Sequence, residues 1–217
     1  MRYSHVLFDL DGTLVDSETG ITNSVAYALS SFGISVTDKS TLRPFIGPPL
    51  LESFMKYYHF SREEAKRAVE EYRVYYRRSG IFENALYPNV ATLLRTLKEY
   101  GCELWLATSK PTVFAKQILE HTGISDLFSQ VYGAELDGSR DSKESVIGYA
   151  LQSQNISDTK QFLMVGDRFH DIVGAHAHHI DTAAVLYGFG SLEEFQKYHA
   201  EYIIDSPLDL LEICAQP

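Results

Sequence analysis

Apolar residues along this chain gather in short blocks rather than alternating one by one. Six such runs, at 6–10, 103–107, 131–132, 162–165, 182–186 and 202–204, are bounded by turn-forming residues and read as strands buried on both faces. Between them the period changes. Val90, Leu93, Leu94 and Leu97 share one face of a helix predicted over 89–100, with Pro88 ahead of its first turn and Gly101 past its last. Phe114, Ile118 and Leu119 mark the next helix, between Pro111 and Gly123. Strand and helix in alternation predict an α/β fold with a Rossmann-like parallel sheet, which binds ligands at the carboxyl ends of its strands.

The first strand breaks the rule. After it the chain makes a long helical excursion, with helical patterns at 21–32, 50–58 and 62–78, before the strand–helix alternation resumes. The segment Pro44-Phe45-Ile46-Gly47-Pro48-Pro49 reads as a loop between two of these helices. The expected organisation is a core of residues 1–15 and 85–217 interrupted by a small all-helical cap domain, 16–84. Internal repeats and low-complexity tracts are not evident.

A length of 217 residues suits one core with a modest second lobe. The formal net charge of −10 gives no whole-protein attraction for a nucleic acid polymer or an anionic membrane, although a local cation could still hold an anionic substrate. Cys102 and Cys214 lack zinc-ligand spacing and suggest small packing residues in a reducing compartment. With neither a signal-length apolar run nor a membrane-spanning stretch, a cytoplasmic location is expected. The sequence leaves monomer and homodimer equally open.

The chemistry concentrates at Phe8-Asp9-Leu10-Asp11-Gly12-Thr13, where two carboxylates follow a buried strand directly. Burying both without a partner is costly, and a hard divalent cation with oxygen ligands is the natural partner. Alone, Asp-Gly-Thr is a common turn, Thr108-Ser109 a common helix cap and Lys143 an ordinary helix residue. Taken in order, however, Asp9-Leu10-Asp11-Gly12-Thr13, Leu106-Ala107-Thr108-Ser109-Lys110, Lys143 and Gly166-Asp167-Arg168-Phe169-His170-Asp171 resemble the four motifs of the haloacid dehalogenase-like hydrolase superfamily. Together they span nearly the whole chain. The segment 136–144 and the loop from Phe45 to Leu50 are similar to those of the 5'-nucleotidase-like and phosphoglycolate phosphatase-like branch, although Lys143 is followed by Glu144 where many relatives carry proline.

The resemblance implies hydrolysis of a small phosphorylated metabolite through an aspartyl-phosphate. Asp9 would be the nucleophile and Asp11 the acid and base. Mg²⁺ would be held by the Asp9 carboxylate, the Asp11 backbone carbonyl and Asp167, with Asp171 supporting the site through water or through Lys143. Thr108, Ser109 and Lys143 would hold the transferring phosphoryl group. Arg43 and Gly47 are the candidates for substrate contact from the cap, against the plainer readings of a solvated arginine and a turn glycine.

The aromatics Phe54, Tyr57, Tyr58, Tyr72, Tyr75 and Tyr76 are read as packing residues ahead of a nucleobase platform. His170, His176, His178 and His179 cluster in sequence, and His176 with His179 could share a helical face, but the ligands for a second metal site are not completed at the usual spacing. A sugar phosphomutase on the same core stays open. A dehalogenase is disfavoured by Asp11 and Asp167, and a receiver-like phospho-acceptor module by the long cap and by both carboxylates following the first strand.

Overall fold

The computed structural model describes residues 2–215. In chain order it contains β1 (His5–Phe8), β2 (Val15–Asp16), α1 (Glu18–Ser30), α2 (Leu50–Tyr58), α3 (Arg62–Arg78), β3 (Ala85–Leu86), α4 (Val90–Glu99), β4 (Glu103–Pro111) and α5 (Thr112–His121). There follow β5 (Gln130–Ala134), α6 (Lys143–Ser153), β6 (Phe162–Gly166), α7 (Phe169–His176), β7 (Asp181–Val185), α8 (Leu192–Lys197), β8 (Tyr202–Ile204) and α9 (Asp209–Ala215). The chain divides into two compact units, Met1–Val15 with Leu86–Pro217, and Asp16–Ala85.

In the first unit a six-stranded sheet runs β5-β4-β1-β6-β7-β8, and every pair in it is parallel. Leu7 stands opposite Trp105 on β4 and Met164 on β6, so these three share one face. That face packs on Val146, Ile147, Ala150 and Ala175 from α6 and α7. Val6, Phe8, Leu104, Leu106, Leu163 and Val165 are buried as well. Burial on both faces is why these strands read as continuous apolar runs rather than alternating ones. Each fully buried Leu or Phe contributes about 1.5–3 kcal/mol, so the sheet holds the loops at its carboxyl end on a rigid base.

The chain moves outward from β1 through β4 to β5, then crosses back to β6 and continues to β8 on the other side. Strands whose order reverses leave a crevice beyond their carboxyl ends, here centred on β1. β1 itself stops at Phe8, before its apolar run does, because Thr13, Leu14 and Val15 all turn back to donate to the Leu10 carbonyl at 2.9–3.3 Å.

The second unit is helical. Ser61 and Glu64 form a reciprocal capping box that starts α3: the Ser61 amide donates to Glu64 Oε2 at 2.8 Å and the Glu64 amide to Ser61 Oγ at 3.3 Å. Phe54, Tyr72 and Tyr76 are buried, and Tyr72 stacks on Tyr76 with ring centroids 5.3 Å apart. Packing therefore accounts for those aromatics, whereas Tyr57 is exposed.

Two local expectations are corrected. The segment expected as a loop from Pro44 begins inside a 3-10 helix, Lys39–Phe45, whose start is capped by Asp38 accepting from the Ser40 amide at 2.9 Å. α7 ends at His176, and His179 lies beyond it with a φ of +57°, so the two histidines do not share a helical face.

Candidate active site

The carboxyl end of the sheet gathers five of the sequence motifs' polar side chains. Asp9 follows β1, Thr108 lies in the carboxyl half of β4, Lys143 opens α6, Asp167 follows β6, and Asp171 sits in the first turn of α7. Carboxylate oxygens of Asp9, Asp167 and Asp171 all lie within 4.8 Å of one another. Lys143 Nζ is 2.8 Å from Asp9 Oδ1, 2.8 Å from Asp171 Oδ1 and 2.8 Å from the Ala107 carbonyl. The ammonium donates to the Ala107 carbonyl and is ion-paired with both carboxylates. Lys143 thus braces β4, α7 and the loop after β1 to one another.

Electrostatically the cluster is incomplete. The half-buried Asp9 and the buried Asp167 and Asp171 face one ammonium, which with all three ionised leaves two negative charges over. Burial pushes the Asp9 carboxyl up to about 6, with Asp171 adding to the rise and Lys143 and Thr108 opposing it. Burial likewise pushes Asp167 well above the usual carboxylate range, and the charges of Asp171 and Asp9 reinforce it. Burial works against the charge on Lys143, but Asp171 and Asp9 overcome it and raise its pKa.

A divalent cation fits what is missing. Asp167 Oδ2 accepts from the Phe189 amide at 2.8 Å, while Asp167 Oδ1 is buried with no hydrogen-bond partner. An orphaned carboxylate oxygen beside surplus negative charge is the donor chemistry that hard cations take. Gly12 makes the approach possible: its φ is +80°, and a Cβ there would stand 2.1 Å from Asp167 Oδ2. Asp9 keeps 14% of its side chain exposed, enough for an incoming group to reach it.

Asp11 lies on the same loop, but its carboxylate is outside the three-carboxylate group and pairs instead with Lys110, Nζ to Oδ2 at 2.6 Å. Ser109 is half-buried beside Thr108. Arg43 and Gly47 belong to the helical unit. There the Arg43 Nε donates to Glu18 at 2.7 Å, and Gly47 adopts a φ of +97° in a turn. The histidines are engaged individually: His176 with Glu201 at 3.1 Å, His178 with the Glu144 carbonyl at 2.9 Å, and His170 packed against Phe169.

Two features were not singled out by sequence reasoning. Lys110 was part of a quoted motif without a role of its own. The loop 186–190 after β7 brings the Phe189 amide to Asp167 and the Tyr187 hydroxyl to the Thr13 carbonyl at 3.1 Å. The only signal for that loop was its Gly188-Phe189-Gly190 pattern at a strand end.

A parallel sheet that presents clustered carboxylates, a buried ammonium and a threonine hydroxyl at its switch point defines an enzyme that handles a phosphoryl group. Residues 6–185 match the haloacid dehalogenase-like hydrolase family, and the chain belongs to that family. It is 43% identical to a 5'-nucleotidase of Pseudomonas aeruginosa over 91% of this chain and 89% of that protein. Identity to the tyrosine-protein kinase PtkA of Mycobacterium tuberculosis is 40%, over 88% of this chain and 65% of that one. A phosphoglycolate phosphatase of Colwellia psychrerythraea is 29% identical over 95% of this chain and 94% of that protein. Among solved structures, one described as a predicted phosphatase from Clostridium acetobutylicum superposes with a TM-score of 0.93 at 48% identity, covering 98% of both chains. The protein is a hydrolase of phosphoric monoesters of this family. Among the described residues, no helix is long and apolar enough to cross a membrane.

Proposed function

We propose that the protein hydrolyses a small phosphomonoester with Mg²⁺ bound, through an aspartyl-phosphate on Asp9. The observation that carries this reading is the placement of Asp9. It is the one member of the three-carboxylate group that directly follows the central strand β1, and Lys143 holds it on one oxygen. Asp9 and Asp167 would hold the cation together with the Asp11 backbone carbonyl, and Asp171 would support them through Lys143. When bound, Mg²⁺ supplies positive charge to the phosphoryl oxygens and cancels the surplus on the carboxylates.

The remaining steps belong to the chain. The Asp9 carboxylate attacks phosphorus, and the ester oxygen departs with a proton from Asp11. Asp11 then takes a proton from the water that attacks the aspartyl-phosphate, which restores both residues. Thr108, with Ser109 beside it, donates to the phosphoryl oxygens, and Lys143 keeps the nucleophile in line. The helical unit is the proposed source of substrate selection, with Arg43 and Gly47 as its candidate contacts.

The identity to a 5'-nucleotidase over nine-tenths of the chain favours a nucleoside monophosphate ahead of phosphoglycolate. A second reading, phosphoryl transfer to tyrosine, rests on the 40% identity to PtkA, of which the chain spans only 65%. Steady-state assays with p-nitrophenyl phosphate, nucleoside monophosphates, phosphoglycolate and sugar phosphates, with Mg²⁺ and with chelator, test the proposal. Parallel incubation with ATP asks whether phosphate arrives on tyrosine or in solution. Turnover that survives chelation refutes the metal, and turnover that survives Asp9→Asn refutes the nucleophile. Isomerised rather than released phosphate identifies a mutase.

A further inference from the structure

Lys110 is buried to within 7% of its side-chain surface, and Asp11 to within 12%. The residues are 99 positions apart in sequence, yet Lys110 Nζ lies 2.6 Å from Asp11 Oδ2. The other oxygen, Asp11 Oδ1, is buried and without a hydrogen-bond partner. The Lys110 backbone is fixed on both sides: its amide donates to Thr108 Oγ1 at 3.2 Å, and β5 packs so closely that a Cβ on Gly133 would meet the Lys110 carbonyl at 2.5 Å. The ammonium is therefore delivered from the carboxyl end of β4, packed against β5 where their pairing shifts register between Ala107 and Pro111.

From this geometry we infer that Lys110 is a positioning residue that decides which oxygen of Asp11 transfers the proton. An ammonium has donors and no acceptor, so the oxygen facing it cannot carry a proton and still keep that contact. Lys110 thereby holds Oδ2 as an acceptor and leaves Oδ1 to carry the exchangeable proton. In the first half-reaction the bond from Asp9 to phosphorus forms, the bond from phosphorus to the ester oxygen breaks, and the Oδ1 proton passes to that oxygen. In the second, the water oxygen bonds to phosphorus, the bond from Asp9 to phosphorus breaks to free the carboxylate, and the water's proton passes to Oδ1. This inference rests on the proposed role of Asp11 and adds the orientation of its carboxyl group.

The consequence is a dependence on the leaving group. Protonation matters little when the departing oxygen is a stable nitrophenolate and much more when it is a plain phenolate, while the two esters have nearly the same shape. Well-placed proton transfer contributes about 10²–10⁴-fold to such reactions, so its misalignment should show clearly. The experiment measures kcat/KM for p-nitrophenyl phosphate and phenyl phosphate with wild type, Lys110→Met and Lys110→Arg, each with Mg²⁺. In Lys110→Met the ratio of nitrophenyl to phenyl ester should rise by at least about tenfold, because general-acid assistance is lost selectively for the poorer leaving group. Lys110→Arg, which keeps a cation at that place, should return the ratio toward wild type.

A Lys110→Met ratio equal to wild type overturns the inference, whether both rates fall together or neither falls, since a purely structural ion pair would act on both esters alike. If circular dichroism shows that Lys110→Met does not fold, Lys110→Gln is read by the same ratio and the same criterion. Failure of the underlying reading looks different: wild type would then hydrolyse neither ester, or Asp9→Asn would keep activity on both.

Discussion

Asp9→Asn should abolish turnover and, without metal, stabilise the protein. The Asp9 carboxyl rises from 3.8 to about 6 on folding, chiefly through burial. A raised carboxyl destabilises the fold once it must ionise: the penalty is absent below the unfolded value, grows as pH climbs, and is complete above about 6. At about 1.4 kcal/mol for each tenfold change, the penalty is roughly 3 kcal/mol at pH 7.5 and about half that at pH 5. Asparagine resembles the neutral carboxyl. Its oxygen can still accept from Lys143 and from the Leu10 amide, the two donors that Asp9 Oδ1 holds at 2.8 and 2.7 Å. In chelator at pH 7.5 the variant should therefore melt about 6–12 °C above wild type, given about 2–4 °C per kcal/mol at this chain length. Saturating Mg²⁺ should narrow or reverse the gap, since a ligand at a hundred times its Kd adds about 2.7 kcal/mol to the form that binds it. Differential scanning fluorimetry at pH 5 and 7.5, with chelator and with Mg²⁺, gives all four values. An Asp9→Asn variant that melts at or below wild type in chelator, or whose margin does not shrink at pH 5, would refute the reasoning.

Lys143→Met should move stability the other way, costing about 3–5 kcal/mol in chemical denaturation, because it leaves Asp9 and Asp171 buried without their shared cation. Gly188→Ala places a Cβ 2.3 Å from the Gly12 carbonyl and 2.4 Å from Asp167 Cβ. Displacing that loop should cost about 1–3 kcal/mol, and calorimetric titration with Mg²⁺ should show weaker binding as the Phe189 amide leaves Asp167. Arg43→Ala should leave the melting temperature nearly unchanged, since Arg43 and Glu18 form an exposed pair. A fall in its kcat/KM at constant stability then reports substrate contact, and an unchanged kcat/KM removes Arg43 from the substrate site.

What the sequence made legible was whatever leaves a mark in residue type at a fixed spacing. The strand at 103–107 and the helix over 89–100 were readable because burial imposes apolar runs or a helical period, and Pro88 and Gly101 punctuate the ends. Helices 50–58 and 62–78 were readable to the residue from their helical patterns. The ordered motifs gave Asp9, Thr108, Lys143, Asp167 and Asp171, and these meet at one sheet end. The pairing of Lys110 with Asp11 was not legible, because two side chains on neighbouring strand ends, 99 residues apart, share no pattern along the chain. The contact from Phe189 to Asp167 is made by a backbone amide, which any residue could supply. The 3-10 helix ending at Phe45 was hidden by Pro44, whose fixed φ suits a tight helical turn as well as a loop.

The site's two lysines, each bound to a carboxylate of the first motif, are not equivalent, and the difference follows from their acceptors. Lys143 is held by ion pairs to Asp9 and Asp171 and by its hydrogen bond to the Ala107 carbonyl, so its position is dictated by the protein before any substrate arrives. A phosphoryl oxygen can gain from its charge, but the ammonium is already shared between two carboxylates. In the proposed mechanism Thr108 donates to the phosphoryl group, and Lys143 acts through the Asp9 carboxylate it orients. Lys110 meets the adjacent carboxylate at one oxygen and leaves the other, buried oxygen without a hydrogen-bond partner. In the proposed mechanism one lysine thus fixes the group that attacks and the other the group that exchanges protons. The surplus of negative charge around Asp9 and Asp167 is left for a cation that the chain itself does not provide.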